Sequence, residues 1–275
     1  MMSYWYNGKI SHEAPLIPVT SRIAKFGDGF FETIRIWDSK PLFIEFHLTR
    51  FFRSCEILKI EPPKREYLLG EIDRLINHFS HPSARLRVTC FRDGDGLYLP
   101  QQNRSEVIME INQAPEELYQ NDSYRTGILK SVKISEGPLS LIKSTSALHL
   151  IMGAIETEEQ GWDAGILLNS EGRVADATSY NVFIVIGNEV FTPSVDEGAL
   201  PGVLREVLLS KIISKAGLKS GFGKLSITKL LHADEVFLTN AIKGIVPVSR
   251  IGHQYFEKRE KTTRLKDQLI RVVNV

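Results

Sequence analysis

Pro138-Leu139-Ser140-Leu141-Ile142-Lys143-Ser144-Thr145-Ser146 sets one lysine between an apolar run and three small hydroxyl residues, where strand character gives way to a helix. A lysine held among apolar groups has its charged form disfavoured, which lowers its pKa and exposes a nucleophilic amine. Taken alone, a surface lysine at a strand end is the stronger reading, because lysines are rarely buried. The neighbouring sequence has to decide.

Downstream, Ser144 or Thr145 is placed to cap a helix whose Leu148, Ile151, Met152 and Ile155 form a buried stripe and which Gly161 stops. Strands are predicted at Ala164 to Leu168, Asn181 to Ile186 and Glu189 to Thr192, the last two joined by the Gly187-Asn188 hairpin signal. A helix from Val203 to Ala216, a strand from Glu235 to Thr239 and a mixed-charge terminal helix follow. Upstream, the polar stretch from Asn112 to Ser123, with Pro115 and few large apolar residues, reads as a linker between domains 1–111 and 124–275. Before it come strands at Tyr4 to Tyr6, Lys9 to Ile10, Phe30 to Trp37, Leu42 to Glu45, Arg85 to Phe91 and Glu106 to Ile111. Apolar residues at helical spacing predict helices from about His47 to Leu58 and from Tyr67 to Phe79.

The 275 residues are enough for two medium domains, and 43% hydrophobic with 24% charged residues indicates a packed globular chain. A net charge of +1 provides no global field for nucleic acid or an anionic membrane, so a small ligand bound locally is expected. Cys55 and Cys90 lack the spacing of a disulfide framework or a zinc site. With no secretory start and no apolar run of membrane length, the cytoplasm is the expected location.

Several weaker signals accompany Lys143. Leu200-Pro201-Gly202-Val203-Leu204-Arg205 opens a helix whose first amides point at an anion, or is simply a proline-glycine turn. His47 and Arg50 share a helical face and suit either a phosphate or solvent. His78 and His81 have the same spacing but no third ligand, so no metal is expected. Arg85 and Arg87 point to one face of their strand, as period two requires, and either suits a substrate carboxylate. Phe31 and Arg35 share a face of the earlier strand; they line the same cavity, or Phe31 is core and Arg35 is paired on the surface. Hydrolase motifs such as GxSxG and HExxH are absent.

Taken in order, these pieces resemble the aminotransferase class IV family, which includes branched-chain aminotransferases, D-amino-acid transaminases and aminodeoxychorismate lyases. The resemblance rests on Tyr6-Asn7-Gly8, Phe26-Gly27-Asp28-Gly29-Phe30-Phe31-Glu32-Thr33, His47-Leu48-Thr49-Arg50 and Ile142-Lys143-Ser144. It continues through Asp176-Ala177-Thr178-Ser179-Tyr180-Asn181-Val182-Phe183, Thr192-Pro193, Leu200 to Arg205, Ala233 to Ala241 and Gly244-Ile245-Val246-Pro247-Val248. The resemblance implies the two-domain pyridoxal-phosphate fold type IV, mixed α+β and α/β. Its smaller N-terminal α/β domain precedes a larger C-terminal cofactor-binding domain.

It also implies that Lys143 carries pyridoxal 5'-phosphate and moves the substrate proton. Arg50, the amides of Val203 and Leu204 and the Asn240-Ala241 turn then look like the phosphate cup. Asp176 matches the acidic partner of the pyridinium nitrogen, where the family usually has glutamate, and Leu204 stands where many relatives have threonine. Phe31, Arg87 and Arg85 are the substrate-side candidates, and a homodimer is implied. The leading expectation is an aminotransferase acting on an amino acid and a 2-oxo acid. Aminodeoxychorismate lyase is the alternative, favoured by Thr239-Asn240-Ala241 and disfavoured by Arg92-Asp93-Gly94-Asp95-Gly96, which lacks the lyases' second arginine. A non-catalytic cofactor-binding protein is the third possibility.

Overall fold

The computed structural model describes residues 2–119 and 123–274, which fall into two compact units. One unit holds the residues through Leu118 together with Ile142–Ser146; the other holds Tyr119–Leu141 and the residues from Ala147 on. Lys143 thus packs with the N-terminal unit, although the chain reaches it only after entering the second. Of the stretch expected to be a linker, Asn112 and Gln113 belong to a strand, and residues 120–122 lie outside the described residues.

The first unit runs β1 (Met2–Tyr6), β2 (Lys9–Ser11), α1 (Arg22–Phe26), β3 (Gly29–Trp37), β4 (Lys40–Pro41), α2 (Ile44–Leu58), α3 (Arg65–Phe79), β5 (Ser83–Arg92) and β6 (Ser105–Gln113). The strands form one sheet in the order β2-β1-β6-β5-β3-β4, with every pairing antiparallel. On β5, buried Ala84, Leu86, Val88 and Cys90 alternate with Arg85, Arg87 and Thr89, as expected of a strand with one core face. Register places Phe31 beside Thr89, Thr33 beside Arg87 and Arg35 beside Arg85, so these six share the face turned from the core. On the core face, Phe30, Ile34, Ile36 and Met109 pack with Leu48, Phe51 and Cys55 of α2 and Leu68, Ile72 and Leu75 of α3. Each such large side chain contributes about 1.5–3 kcal/mol by leaving water.

Leu42 to Glu45 is not the strand expected. The Leu42 amide donates to the Arg35 carbonyl (2.8 Å), Phe43 adopts φ 55°, and the Phe46 amide closes back on the Phe43 carbonyl at 3.0 Å, so α2 begins at Ile44. A short apolar run does not distinguish a strand from a buried helix start.

The second unit runs β7 (Tyr124–Ile134), α4 (Leu148–Glu159), β8 (Ala164–Asn169), β9 (Val174–Ala177), β10 (Asn181–Ile186), β11 (Glu189–Pro193), α5 (Val203–Val207), β12 (Lys219–Gly223), α6 (Ile227–Leu231), β13 (Glu235–Asn240), β14 (Gly244–Ile251), β15 (Gln254–Tyr255) and α7 (Glu260–Val273). Its sheet follows the order β12-β11-β10-β13-β14-β7-β8-β9, with β15 on β14. The β11–β12, β14–β7 and β7–β8 pairings are parallel. Ile166, Val182, Ile184, Val236 and Leu238 are central to its core. The α7 N-terminus lacks a cap from its own Arg259; buried Glu235 supplies one from β13 by accepting from the Lys261 and Thr262 amides.

Two helical expectations change. The supposed buried stripe of α4 is exposed: Leu148 is 73%, Ile151 53%, Met152 49% and Ile155 44% accessible, while Gly153 and Thr157 are buried. The helix lies on its small residues, close enough that a Cβ on Gly153 would sit 3.0 Å from Leu129. No side chain caps α4, because the Thr145 hydroxyl donates to the Gly27 and Gly29 carbonyls (2.7 and 2.9 Å). The helix expected from Val203 to Ala216 is one α segment, α5, followed by a π turn at Leu208–Ile212. That wider turn lets the adjacent Ile212 and Ile213 both be fully buried.

Candidate active site

In the first unit, residues 143–145 run antiparallel to the start of β3. The Phe31 amide donates to the Lys143 carbonyl (2.9 Å), and the Thr145 amide donates to the Gly29 carbonyl (3.0 Å). The glycine-rich turn and the lysine stretch, far apart in sequence, are therefore one local structure. The Lys143 ammonium lies 4.7 Å from the Phe31 ring centroid, and the Arg87 guanidinium carbon lies 3.5 Å from the same centroid. One aromatic ring thus locates two cations. Arg87 is half-buried, its Nε donating to Thr89 Oγ1 (3.2 Å) with Glu110 at 3.6 Å. Arg85 shares its face through register.

Arg35 is not a surface arginine. It is 1% exposed, and its guanidinium donates to the carbonyls of Pro115 and Glu117. A charge that has left water needs such acceptors, which makes Arg35 part of the packing beneath this face.

His47 and Arg50 do share a helical face, but the face is directed inward. Glu32, 2% exposed, accepts from Arg50 Nε (2.8 Å) and Nη2 (2.6 Å), and His47 Nδ1 lies 2.6 Å from the same carboxylate. Burial pushes the Glu32 carboxyl up, but Arg50 and His47 outweigh it and hold it at about 2. Burial also lowers the His47 pKa despite Glu32. The role of Glu32 was not legible from spacing, since it lies 18 positions before Arg50 and meets it only when α2 packs on β3.

In the second unit, Asp176 lies near the end of β9 and is 8% exposed. Oδ1 accepts from Asn181 Nδ2 (3.0 Å) and Oδ2 from the Leu200 amide (3.1 Å). Burial raises its pKa to about 7, against the pull of the Leu200 and Ala177 amides, Arg205 and Asn181. Asn181 also donates to the Leu200 carbonyl (2.8 Å). A Cβ on Gly202 would stand 1.8 Å from Asn181 Oδ1, so glycine is what lets the Leu200-Pro201-Gly202 turn close over the aspartate. Val203 and Leu204 follow as the first buried residues of α5, and a helix leaves its first-turn amides without intrahelical partners.

Asn240 accepts from the Ile242 and Lys243 amides (3.0 and 2.7 Å) and donates to the Ser179 carbonyl (3.1 Å). This ties the turn that carries Ala241 to the turn after Asp176. Asn181 was missed as a positioning group. Its sequence signals were its place in the Asp176 to Phe183 segment and across the short β9–β10 turn from Asp176.

Residues 29–251 match the amino-transferase class IV family. The chain belongs to that family. Among class IV relatives, a putative branched-chain-amino-acid aminotransferase of Methanocaldococcus jannaschii is 28% identical over 275 residues, covering 97% of this chain and 95% of its own length. Aminodeoxychorismate lyase of Bacillus subtilis is 29% identical over 234 residues, covering 82% and 78%. The branched-chain aminotransferase of Thermoproteus uzoniensis, solved with norvaline, superposes with a TM-score of 0.90 at 22% identity, covering 99% of this chain and 95% of that one. The fold is accordingly pyridoxal-phosphate fold type IV, as the sequence implied.

Proposed function

We propose that this class IV chain is a pyridoxal-phosphate-dependent aminotransferase that moves an amino group between an amino acid and a 2-oxo acid. The observation that carries the reading is Asp176, a buried carboxyl raised to about 7 by loss of water, whose site gains from a cationic N–H partner. The protonated nitrogen of a pyridine ring supplies that charge. Lys143, half-buried beside an aromatic ring, fits the amine that carries the cofactor. When bound, pyridoxal phosphate supplies an electron sink for the pair left behind as the substrate's α-proton departs.

The chain's own groups do the rest. Asp176 keeps the ring nitrogen protonated, with Asn181 and the Leu200 amide fixing the carboxylate. Lys143 holds the cofactor and, once its amine is released, takes the substrate α-proton at Nζ. Arg50, the amides of Val203 and Leu204 and the Asn240-Ala241 turn hold the phosphate. Phe31 and Arg87, with Arg85 beside them, face the substrate, Arg87 meeting its carboxylate.

Incubation with separate amino donors and 2-oxo acid acceptors is expected to yield the matching oxo acid. Release of 4-aminobenzoate and pyruvate from aminodeoxychorismate, without transamination, would establish the lyase reading instead. The Asn240-Ala241 turn is the feature that supports that second reading. Catalytic turnover in either assay excludes a purely binding role.

Arg50→Ala alone would strand the Glu32 carboxylate, so its contribution is read in a Glu32→Gln background. Against Glu32→Gln, the double variant is expected to bind cofactor about 10- to 100-fold more weakly, the worth of a charge-assisted contact, with a smaller change in kcat at saturating cofactor. Equal cofactor affinities would take Arg50 out of the phosphate site.

The exposed row Leu148, Ile151, Met152 and Ile155 supports a homodimer, because four large apolar side chains on one helix face favour leaving water together. Sedimentation showing only monomer at micromolar concentration would overturn that reading. Among the described residues no helix is long and apolar enough to cross a membrane, and both cysteines are free; these support a cytoplasmic location, which fractionation with membranes would refute.

A further inference from the structure

His47 is 1% exposed, yet its Nε2 has no hydrogen-bond partner among the described residues. The other ring nitrogen is committed. Glu32 is ionised at neutral pH, so Nδ1 is the donor across their 2.6 Å contact, and turning the ring to satisfy Nε2 would deprive a buried carboxylate. A buried ring nitrogen left over in this way points to a partner that is not part of the chain.

The surroundings specify its charge. Among the described residues, the charged groups that act on His47 are Glu32 from β3, Arg50 from its own helix and Lys143 from the segment 142–146, two of the three cationic. Two cations beside the ring favour an anion as the missing partner. Arg50 lies one helical turn along the same face, so an anion reaching Arg50 is also within reach of His47. Arg85 and Arg87 belong to the opposite face of the sheet by register, which separates this site from the substrate-side arginines.

We propose that His47 Nε2 is a further contact to the phosphate of pyridoxal phosphate, donating to a phosphate oxygen beside Arg50. The inference rests on the cofactor reading above. Before binding, burial keeps the ring neutral, with its single proton on Nδ1. To donate from Nε2 the ring takes up a proton, and Glu32 stabilises the resulting imidazolium as a carboxylate stabilises any histidine it orients.

The test titrates the full-length cofactor-free protein with pyridoxal phosphate and with pyridoxal, which offers the same aldehyde to Lys143 but has no phosphate. The parent is compared with His47→Asn, which keeps an amide donor near Nδ1 and deletes Nε2, and with His47→Gln, which places an amide nitrogen near Nε2. His47→Asn is expected to weaken pyridoxal phosphate about 10- to 100-fold while leaving pyridoxal nearly unchanged. Calorimetry at pH 8 in buffers of different ionisation enthalpy should show the parent taking up more protons on binding than either variant, with His47→Gln recovering part of the affinity. Equal weakening of both ligands, or of neither, overturns the proposal and leaves His47 as a support for Glu32. A parent that binds no pyridoxal phosphate refutes the cofactor reading itself, a separate outcome.

Discussion

Lys143→Ala is expected to abolish turnover and the visible absorbance of the bound cofactor while leaving the protein folded. The backbone anchors this segment: the Lys143 carbonyl receives the Phe31 amide, and Ile142, Ser144 and Thr145 make further contacts with β3 and the core. What disappears is the amine placed 4.7 Å from the Phe31 centroid. Because one group acts as both nucleophile and proton carrier, the fall in kcat should reach about four orders of magnitude or more. The measurement is steady-state turnover together with an absorbance spectrum and a thermal melt of parent and variant. A variant that folds, binds cofactor and turns over like the parent removes Lys143 from the chemistry, and with it the central reading of the site.

The parts of this protein that the sequence disclosed are those in which neighbouring positions carry the signal. Strand β5 alternates apolar and polar residues, the Gly187-Asn188 turn joins β10 to β11, and helices α2 and α3 show their stripes; each was legible because its period or turn chemistry is local. The α4 stripe was also legible as apolar, but periodicity does not say whether protein interior or another surface covers an apolar face. Its small Gly153 and Thr157 turned out to be the residues that pack. Lys143 stands out through resemblance and not through burial, and its pairing with Phe31 joins positions more than a hundred residues apart. Glu32 with Arg50, and Asn181 with Asp176, exist only once a helix lies on a sheet or a hairpin closes. Side-chain hydrogen bonds of this kind have no spacing rule, so a sequence shows the residue types and leaves the pairing to the fold.

Asp176→Asn should separate charge from shape at the site where charge is costliest. The parent carboxyl is 8% exposed and raised to about 7 by burial, so its ionised form gains from a further cation that shares its site. On the proposed reading a protonated ring nitrogen would supply that charge, and the carboxylate would in return stabilise the charge that develops when the substrate α-proton is removed. Asparagine retains the volume but not the charge, and kcat is expected to fall by roughly a hundredfold or more at saturating cofactor, the scale of one lost preorganised contact. Asp176→Glu, which restores the residue usual in relatives, should keep substantial activity if the cofactor shifts by the length of one methylene. A pH series gives an independent check. With its pKa near 7 in the cofactor-free chain and lowered once a cation faces it, Asp176 must release a proton on binding below pH 7, so its contribution to cofactor affinity grows as pH rises to about 7 and then levels off. Taking the difference between parent and asparagine variant at each pH cancels the contributions of Lys143 and His47, which both proteins share. If that difference is flat with pH and the two proteins turn over alike, Asp176 is not the partner of the ring nitrogen, and the bonds from Asn181 and Leu200 serve only to hold a buried carboxyl in the fold.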